Sequence, residues 1–208
     1  MKLSKITNTE FSVKLASDAP APGGGSVAAL SASLGAALTH MVAALTTGKT
    51  KYAEHEALSQ SILKQADDLR AKLLDCMDRD TEIFGRMEAV FKMPKASDEE
   101  KKARREAMQE ALKACSVVPL EIMEYCHEAL VMTEKYVGKS NSNAASDLGV
   151  AALMLEAGIK GAWLNVLINA GGIKDEAFVS EYKERGLTLL EKSEALSKKI
   201  YEEVKAGL

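Results

Sequence analysis

The sequence carries little net charge of either sign. Lys and Arg total 27, and Asp and Glu total 30, so the formal charge of the 208 residues is −3. A chain so nearly balanced has no strong field to attract nucleic acid or anionic lipid. We therefore expect neither nucleic acid nor a membrane among its partners.

Cysteine is also scarce. Cys76, Cys115 and Cys126 form no C-x-x-C pair, and an odd number of scattered cysteines is typical of reduced thiols. The first twenty residues alternate polar and apolar side chains, without the apolar stretch of a signal peptide. The stretch from Val27 to Leu45 approaches a membrane span in hydropathy, but His40 and many small residues favour a buried helix. Together these features predict a cytoplasmic protein.

Proline is absent after Pro119, and Ala, Leu, Glu, Lys and Met dominate the chain. This composition favours helices, and we predict one all-α domain over residues 1–208, built as a multi-helix bundle. Apolar residues from Leu58 to Met77 recur at steps of three and four, which predicts a long amphipathic helix with Asp80 near its end. Ser97 is the predicted N-cap of the next helix.

Two segments differ from this amphipathic pattern because small residues dominate them and they are apolar on more than one side. They read VAALSASLGAALTHMVAALT and LGVAALMLEAGIKGAWLNVLIN. Small side chains let helix axes approach closely, so we predict that both helices lie at the centre of the bundle. Their remaining apolar surface predicts a homodimer.

Polar or flexible residues stand at the start of each of these helices. The first follows Gly23, Gly24, Gly25 and Ser26, where free backbone N–H groups could meet a polar ligand, although a plain loop would use the same residues.

The second helix follows a cluster of amides, a hydroxyl and a carboxylate: Asn141, Asn143, Ser146 and Asp147. Helix capping explains the last two, and the extra amides exceed what one helix end requires. Farther along the same helix, Asn165 and Asn169 stand four residues apart and so share one face, either as structural hydrogen-bonding groups or as part of a polar pocket.

A metal site has little support in the sequence. Glu124-x-x-His127 is half of a di-iron carboxylate motif, and no second copy exists. His40 lies inside the first small-residue helix, where a buried histidine with a structural role is the commoner case. We therefore predict no metal ligands.

Taken together, several blocks of the sequence resemble the formiminotetrahydrofolate cyclodeaminase and methenyltetrahydrofolate cyclohydrolase family. The resemblance extends over nearly the whole chain and rests on PAPGGGSVAALSASLGAAL, DRDTEIFGRMEAVFKMPK, NSNAASDLGVAA and NVLINAGGIKDEAF. It implies an all-helical homodimer that acts on a tetrahydrofolate derivative and needs no further cofactor.

The resemblance implies conversion of 5-formiminotetrahydrofolate to 5,10-methenyltetrahydrofolate with release of ammonia. Two alternatives stay open: a cyclohydrolase that forms 10-formyltetrahydrofolate, and a helical dimer that binds folate without catalysis. A positioned carboxylate suits either reaction, with Asp147 as the first choice and Asp80 as the second. The residues expected to bind substrate are Gly23, Gly24, Gly25, Ser26, Asn141, Asn143, Ser146, Asn165, Asn169 and, for the glutamate tail, Lys49.

Overall fold

Six α-helices contain more than three quarters of residues 2–208, which the computed structural model describes. They are α1 (Asn8–Leu15), α2 (Gly24–Thr46), α3 (Glu56–Phe91), α4 (Asp98–Glu134), α5 (Ala145–Ala170) and α6 (Glu176–Ala206). Short 3-10 segments cover Leu3–Lys5, Thr50–His55 and Ser142–Ala144, and no strand occurs in this part of the chain. The prediction of an all-α protein is confirmed.

Local signals set most of the helix boundaries. Ser97 accepts a hydrogen bond from the Glu100 N–H, and the Glu100 side chain accepts one from the Ser97 N–H, so a capping box opens α4 as predicted. The prediction that Asp80 lies near the end of its helix is wrong, because α3 continues to Phe91. Nothing between these two residues breaks the helix, and the apolar stripe simply continues.

Pro119 lies inside α4 and does not end it. Proline has no N–H, so the carbonyl four residues earlier, that of Cys115, has no helical partner. That carbonyl accepts a hydrogen bond from Asn169 Nδ2 at 2.8 Å instead. The proline thus leaves an acceptor on α4 that attaches the end of α5.

Helices α2 and α5 run antiparallel and touch through residues without bulky side chains. A Cβ atom at Gly158 would lie 2.9 Å from Ala32 Cβ and 3.0 Å from the Ala28 carbonyl oxygen. A Cβ at Gly35 would lie 2.9 Å from the Ala151 carbonyl oxygen. The two helix axes can be this close only because these positions are glycine.

The other long helices pack against this pair. α3 and α4 pack on each other, α3 also packs on α2, and α5 packs on α4 and α6. Hydroxyl pairs join the layers inside the core: Thr39 with Thr133 at 2.9 Å, and Ser59 with the fully buried Tyr136 at 2.7 Å. Buried hydroxyl groups are thereby paired, as a dry core requires.

Within residues 2–208, no other helix covers one face of the α2–α5 pair. Its large exposed side chains, which we call the α2/α5 face, are Val27, Leu34, Met41, Leu45, Val150, Leu153, Leu164 and Ile168. By length and composition alone both helices could span a membrane, but the rest of their surface is packed into the protein. This face is an apolar patch that needs a functional explanation.

The α2–α5 contact predicts the effect of two glycine substitutions. Gly158→Ala should lower the free energy of unfolding by about 1 to 3 kcal/mol, because its Cβ meets backbone and a short side chain that cannot move aside. Gly85→Ala on the exposed side of α3 is the matched control, since nothing lies within 4 Å of its Cβ position. It should raise stability by about 0.5 to 1 kcal/mol. Urea denaturation of both variants would test this, and equal effects would contradict the close packing.

Candidate functional site

A cavity of about 500 Å³ lies where the start of α2, the C-terminal third of α3 and the end of α5 meet. The antiparallel packing of α2 and α5 causes this arrangement, because it puts the first residues of α2 beside the last turns of α5. Of the predicted residues, the cavity brings together six: Gly23, Gly24, Gly25, Asp80, Asn165 and Asn169. Its volume falls in the range of small-molecule sites.

The carboxylate of Asp80 sits against the N-terminus of α2. Ser26 Oγ donates a hydrogen bond to Asp80 Oδ2 at 2.9 Å and lies 3.2 Å from Thr81 Oγ1. Gly25 makes room for the carboxylate, because a Cβ there would lie 2.7 Å from Asp80 Cγ and 2.8 Å from Oδ2. Ser26 is fully buried behind Asp80, so it positions the carboxylate and does not line the cavity.

Burial raises the pKa of Asp80, and hydrogen bonds from the side chain and backbone of Ser26 partly offset that rise. The uncapped N-terminus of α2 also favours the charged form, since no side chain occupies its free N–H groups. Cys115 lies on the opposite wall, and burial first and then the charge of Asp80 raise its thiol pKa. A carboxyl group whose pKa is raised in this way is a better proton acceptor and donor than a solvated carboxylate.

Two amides face Asp80 from α5. Asn165 Nδ2 donates to the Gly161 carbonyl at 2.8 Å, and Asn169 Nδ2 donates to the Cys115 carbonyl at 2.8 Å. Neither amide oxygen accepts a hydrogen bond within residues 2–208, and no buried side-chain oxygen in that range is left unpaired. Both oxygens are therefore exposed and free to accept hydrogen bonds from a ligand.

The rest of the cavity wall is apolar, and the sequence analysis missed it. On α3 the lining side chains follow Asp80 at helical spacing: Ile83, Phe84, Met87 and Phe91. α4 adds Met108, Leu112 and Val118, and α5 adds Ile168. The signal was present in the sequence, because the α3 residues continue the stripe at steps of three and four beyond Met77. It was missed because the helix was expected to end near Asp80.

The remaining predicted residues lie at the other end of the α2–α5 pair. The Asn141 N–H donates to Thr46 Oγ1 at 2.9 Å and Asn141 Nδ2 donates to the Leu45 carbonyl at 3.2 Å, so this loop is tied to the last turn of α2. Lys49 follows the same turn and is exposed. Within one chain these residues are about 30 Å from Gly25, given a helical rise of roughly 1.5 Å per residue.

Capping of α5 differs from the expectation drawn from its sequence. Ala144 is the N-cap, and no side chain caps the helix. Ser146 and Asp147 lie two and three residues after this N-cap, inside the first turn. In the preceding loop, Asn143 donates its N–H to Asn141 Oδ1 at 3.1 Å. The Asp147 carboxylate makes no hydrogen bond or ion pair within residues 2–208, so a capping role does not account for it.

The half-motif Glu124-x-x-His127 has other partners. Glu124 forms an ion pair with Arg185 at 2.6 Å, and His127 Nδ1 lies 3.0 Å from Ser193 Oγ. In the described part of the chain, no three His, Cys, Asp or Glu side chains cluster as metal ligands would.

The fit of Asp80 against Gly25 predicts a selective loss of function. Gly25→Ala should displace the carboxylate and lower kcat/KM at least tenfold, since misplacing a reacting group by about 1 Å can cost a hundredfold. Gly85→Ala is the control, because Gly85 lies outside the cavity lining and nothing lies within 4 Å of its Cβ position. Steady-state kinetics of both variants would measure the difference. Full activity in Gly25→Ala would show that Asp80 tolerates displacement.

Known proteins resemble the chain over almost its full length. A methenyltetrahydrofolate cyclohydrolase from Methylorubrum extorquens is 44% identical over 192 residues, which cover 92% of each protein. The formimidoyltransferase-cyclodeaminase of Sus scrofa is 33% identical over 196 residues, and that of Gallus gallus 35% over 173. The chain spans only 36% and 32% of the length of these two relatives.

The fold has a solved counterpart as well. The crystal structure of formiminotetrahydrofolate cyclodeaminase from Thermotoga maritima matches with a TM-score of 0.79 and 32% identity, covering 98% of this chain and 96% of that one. The family model for formiminotransferase-cyclodeaminase matches residues 7–187. With the sequence, the helical fold and the cavity in agreement, the chain belongs to the formiminotransferase-cyclodeaminase family of folate one-carbon enzymes.

Proposed function

We propose that the protein is a methenyltetrahydrofolate cyclohydrolase, which adds water to the one-carbon bridge of 5,10-methenyltetrahydrofolate and releases 10-formyltetrahydrofolate. The observation that carries this proposal is the partly buried Asp80 carboxylate, held by Ser26 at the polar end of the cavity. The 44% identity to a cyclohydrolase of similar length favours hydrolysis over deamination.

Polar and apolar groups follow each other along the cavity in the same order as along a folate molecule. Gly24, Asn165 and Asn169 offer backbone N–H groups and amide oxygens to a pterin ring at the polar end. Phe84, Met87 and other apolar side chains along the cavity suit the aminobenzoyl ring, and Phe91 at the mouth is 56% exposed.

Basic side chains adjoin the apolar end of the cavity. Lys102, Arg104, Arg105 and Lys174 surround a neighbouring depression that shares Met108 with the cavity wall. Their charge suits the carboxylates of the glutamate tail, and they are better placed for it within one chain than Lys49.

Asp80 can perform both proton transfers of the hydrolysis. The ionised carboxylate takes a proton from water as the oxygen bonds to the methenyl carbon, and the cationic bridge becomes a neutral carbinolamine. The same group then returns the proton to N5 as the N5–carbon bond breaks, while the hydroxyl proton leaves to solvent. Water is consumed and one proton is released, so the reaction balances without a metal or redox cofactor.

Cyclodeamination is the second candidate, and the similarity to the Thermotoga maritima cyclodeaminase favours it. There, N10 attacks the carbon of the protonated formimino group, Asp80 takes the N10 proton, and the departing NH2 group takes that proton back and leaves as ammonia, which gives the methenyl cation. A folate-binding dimer without catalysis would need this carboxylate only as a hydrogen-bond acceptor for the pterin ring. We further propose a homodimer located in the cytoplasm, with the free thiols of Cys76, Cys115 and Cys126 kept reduced.

An assay with both substrates tests the proposed function. With 5,10-methenyltetrahydrofolate, we expect the methenyl absorbance to decrease as purified protein hydrolyses the substrate. With 5-formiminotetrahydrofolate, we expect it to release little ammonia. Asp80→Asn should lower turnover by roughly 10² to 10⁴, because an amide cannot accept the proton. Asp78→Asn is the matched control on the same helix, since Asp78 bonds to Ser4 outside the cavity. Faster deamination than hydrolysis would select the second candidate, and an active Asp80→Asn would exclude this carboxylate.

The pH profile gives a separate test of Asp80. Activity requires the ionised carboxylate, so log kcat/KM should fall as pH drops through the raised pKa of this group. Ser26→Ala removes a hydrogen bond that favours the charged form and should raise that pKa further, so the acidic limb should move to higher pH. If the acidic limb of the pH profile stays in place or moves to lower pH in Ser26→Ala, the limb reports the titration of a group other than Asp80.

A further inference from the structure

Two hydroxyl groups extend the polar contacts of Asp80 away from the cavity. Ser26 Oγ lies 2.9 Å from Asp80 Oδ2 on one side and 3.2 Å from Thr81 Oγ1 on the other. Ser26 is fully buried, whereas Thr81 is half-buried. Hydrogen bonds of a catalytic site are often longer without substrate than in the complex, so both separations are close enough for proton transfer. The three side chains therefore form a hydrogen-bonded chain that begins at the carboxylate.

Neither hydroxyl is used by its own helix. Serine and threonine inside helices commonly donate to the carbonyl four residues earlier, as Thr46 and Thr133 do in this protein. Within residues 2–208, Thr81 Oγ1 has no hydrogen-bond partner other than Ser26, and Ser26 Oγ contacts only Thr81 and Asp80. Both hydroxyls are therefore free to exchange protons with each other and with the carboxylate.

Thr81 connects this chain to a separate opening on the protein surface. Thr81 lines a depression of about 330 Å³, which we call the α3 depression, together with Lys2, Leu3 and four other residues of α3. The α3 depression shares no lining residue with the cavity. Three of its lining side chains are carboxylates, those of Asp75, Asp78 and Glu82, and Glu82 is exposed. Carboxylates and solvent at this opening can accept a proton from Thr81.

The proposed hydrolysis leaves one proton to remove. Once Asp80 has protonated N5, its carboxylate can take the proton of the carbinolamine hydroxyl as the formyl group forms. The product then fills the cavity beside Asp80, so this proton has no open route to solvent on that side. While the proton stays on Asp80, it can return to the formyl oxygen and reverse the step. A second route out of the site would prevent that reversal.

We propose that Ser26 and Thr81 relay this proton from Asp80 to the α3 depression. Asp80 gives its proton to Ser26 Oγ, Ser26 gives its own to Thr81 Oγ1, and Thr81 gives its own to solvent. Each hydroxyl gains one proton and loses one, so a single proton leaves. The inference rests on the proposed function, because hydrolysis is the reaction that releases a net proton.

The observed hydrogen bonds have the direction that such a transfer leaves behind. After the proton has gone, each hydroxyl donates toward the ionised carboxylate. In the structure Ser26 Oγ donates to Asp80 Oδ2, so its one proton is in use and Thr81 must be the donor in the contact between the two hydroxyls. The chain is thus arranged as it would be after one proton transfer to solvent.

Thr81→Val tests the relay while leaving the hydrogen bond between Ser26 and Asp80 in place. Valine has the shape of threonine without the hydroxyl, and Thr81 does not line the cavity. We expect kcat for hydrolysis to fall roughly tenfold, a part of the 10² to 10⁴ that a positioned proton transfer contributes. The fall of kcat in D₂O should also be larger than in the wild type, because proton departure becomes rate-limiting. Thr81→Ser should restore both values, since it keeps the hydroxyl.

Ammonia release separates the relay from a merely structural role of Thr81. Cyclodeamination returns the proton on Asp80 to the departing NH2 group, so it releases no net proton and does not need the relay. Thr81→Val should therefore leave the slow release of ammonia from 5-formiminotetrahydrofolate unchanged. Equal losses in both reactions would overturn the relay, because a displaced Asp80 would slow both.

Thr39→Val is the matched control for loss of a buried hydroxyl contact. Thr39 pairs with Thr133 at 2.9 Å inside the core and lies outside the cavity lining. Its variant should melt at a lower temperature and keep the wild-type kcat and solvent isotope effect. Unchanged hydrolysis and an unchanged isotope effect in Thr81→Val, beside an active wild type, would overturn the relay alone. A wild-type protein that does not hydrolyse 5,10-methenyltetrahydrofolate would instead contradict the proposed function, and the relay with it.

Discussion

The close contact between α2 and α5 is the constraint on which the rest of the structure depends. Gly35 and Gly158 let backbone and short side chains meet where any Cβ would collide. Because the two helices are antiparallel and nearly equal in length, their contact determines which residues are neighbours at each end of the pair. The glycine-rich start of α2 meets the asparagines of α5, and the last turn of α2 meets the loop that precedes α5.

Asp80 acquires its chemical character from this packing. A carboxylate in the middle of an amphipathic helix is ordinarily solvated and has an ordinary pKa. Here α3 packs on α2 so that Asp80 lies over Gly25, and burial raises its pKa while Ser26 holds it in place. Partial burial of the Asp80 carboxylate is unfavourable for stability, but the raised pKa that it causes suits a group that transfers protons.

Pro119 gives a second example of a local feature with a distant effect. By removing one N–H from α4, it leaves the Cys115 carbonyl for Asn169, which fixes that amide and leaves its oxygen exposed to the cavity. Hydrolysis of the methenyl bridge and its formation by cyclodeamination both need a substrate held in one orientation beside one proton acceptor. This helps explain how cyclohydrolases and cyclodeaminases can share a family and a fold.

The sequence by itself determined that the protein is helical, where most helices begin and that it resembles a folate enzyme family, because composition, caps and apolar spacing are local properties. It also singled out Gly23 to Gly25 before an apolar helix and Asn165 and Asn169 within one, whereas Asp80 entered only as a second choice after the family resemblance. Only the tertiary structure decided which of them meet. The sequence favoured Asp147 over Asp80 because Asp147 stands in a cluster of polar residues at a helix start, whereas position along a helix does not reveal the burial of Asp80. Packing of helices far apart in sequence buried Asp80 and left Asp147 at the other end of the molecule, since the antiparallel contact of α2 and α5 sets that distance.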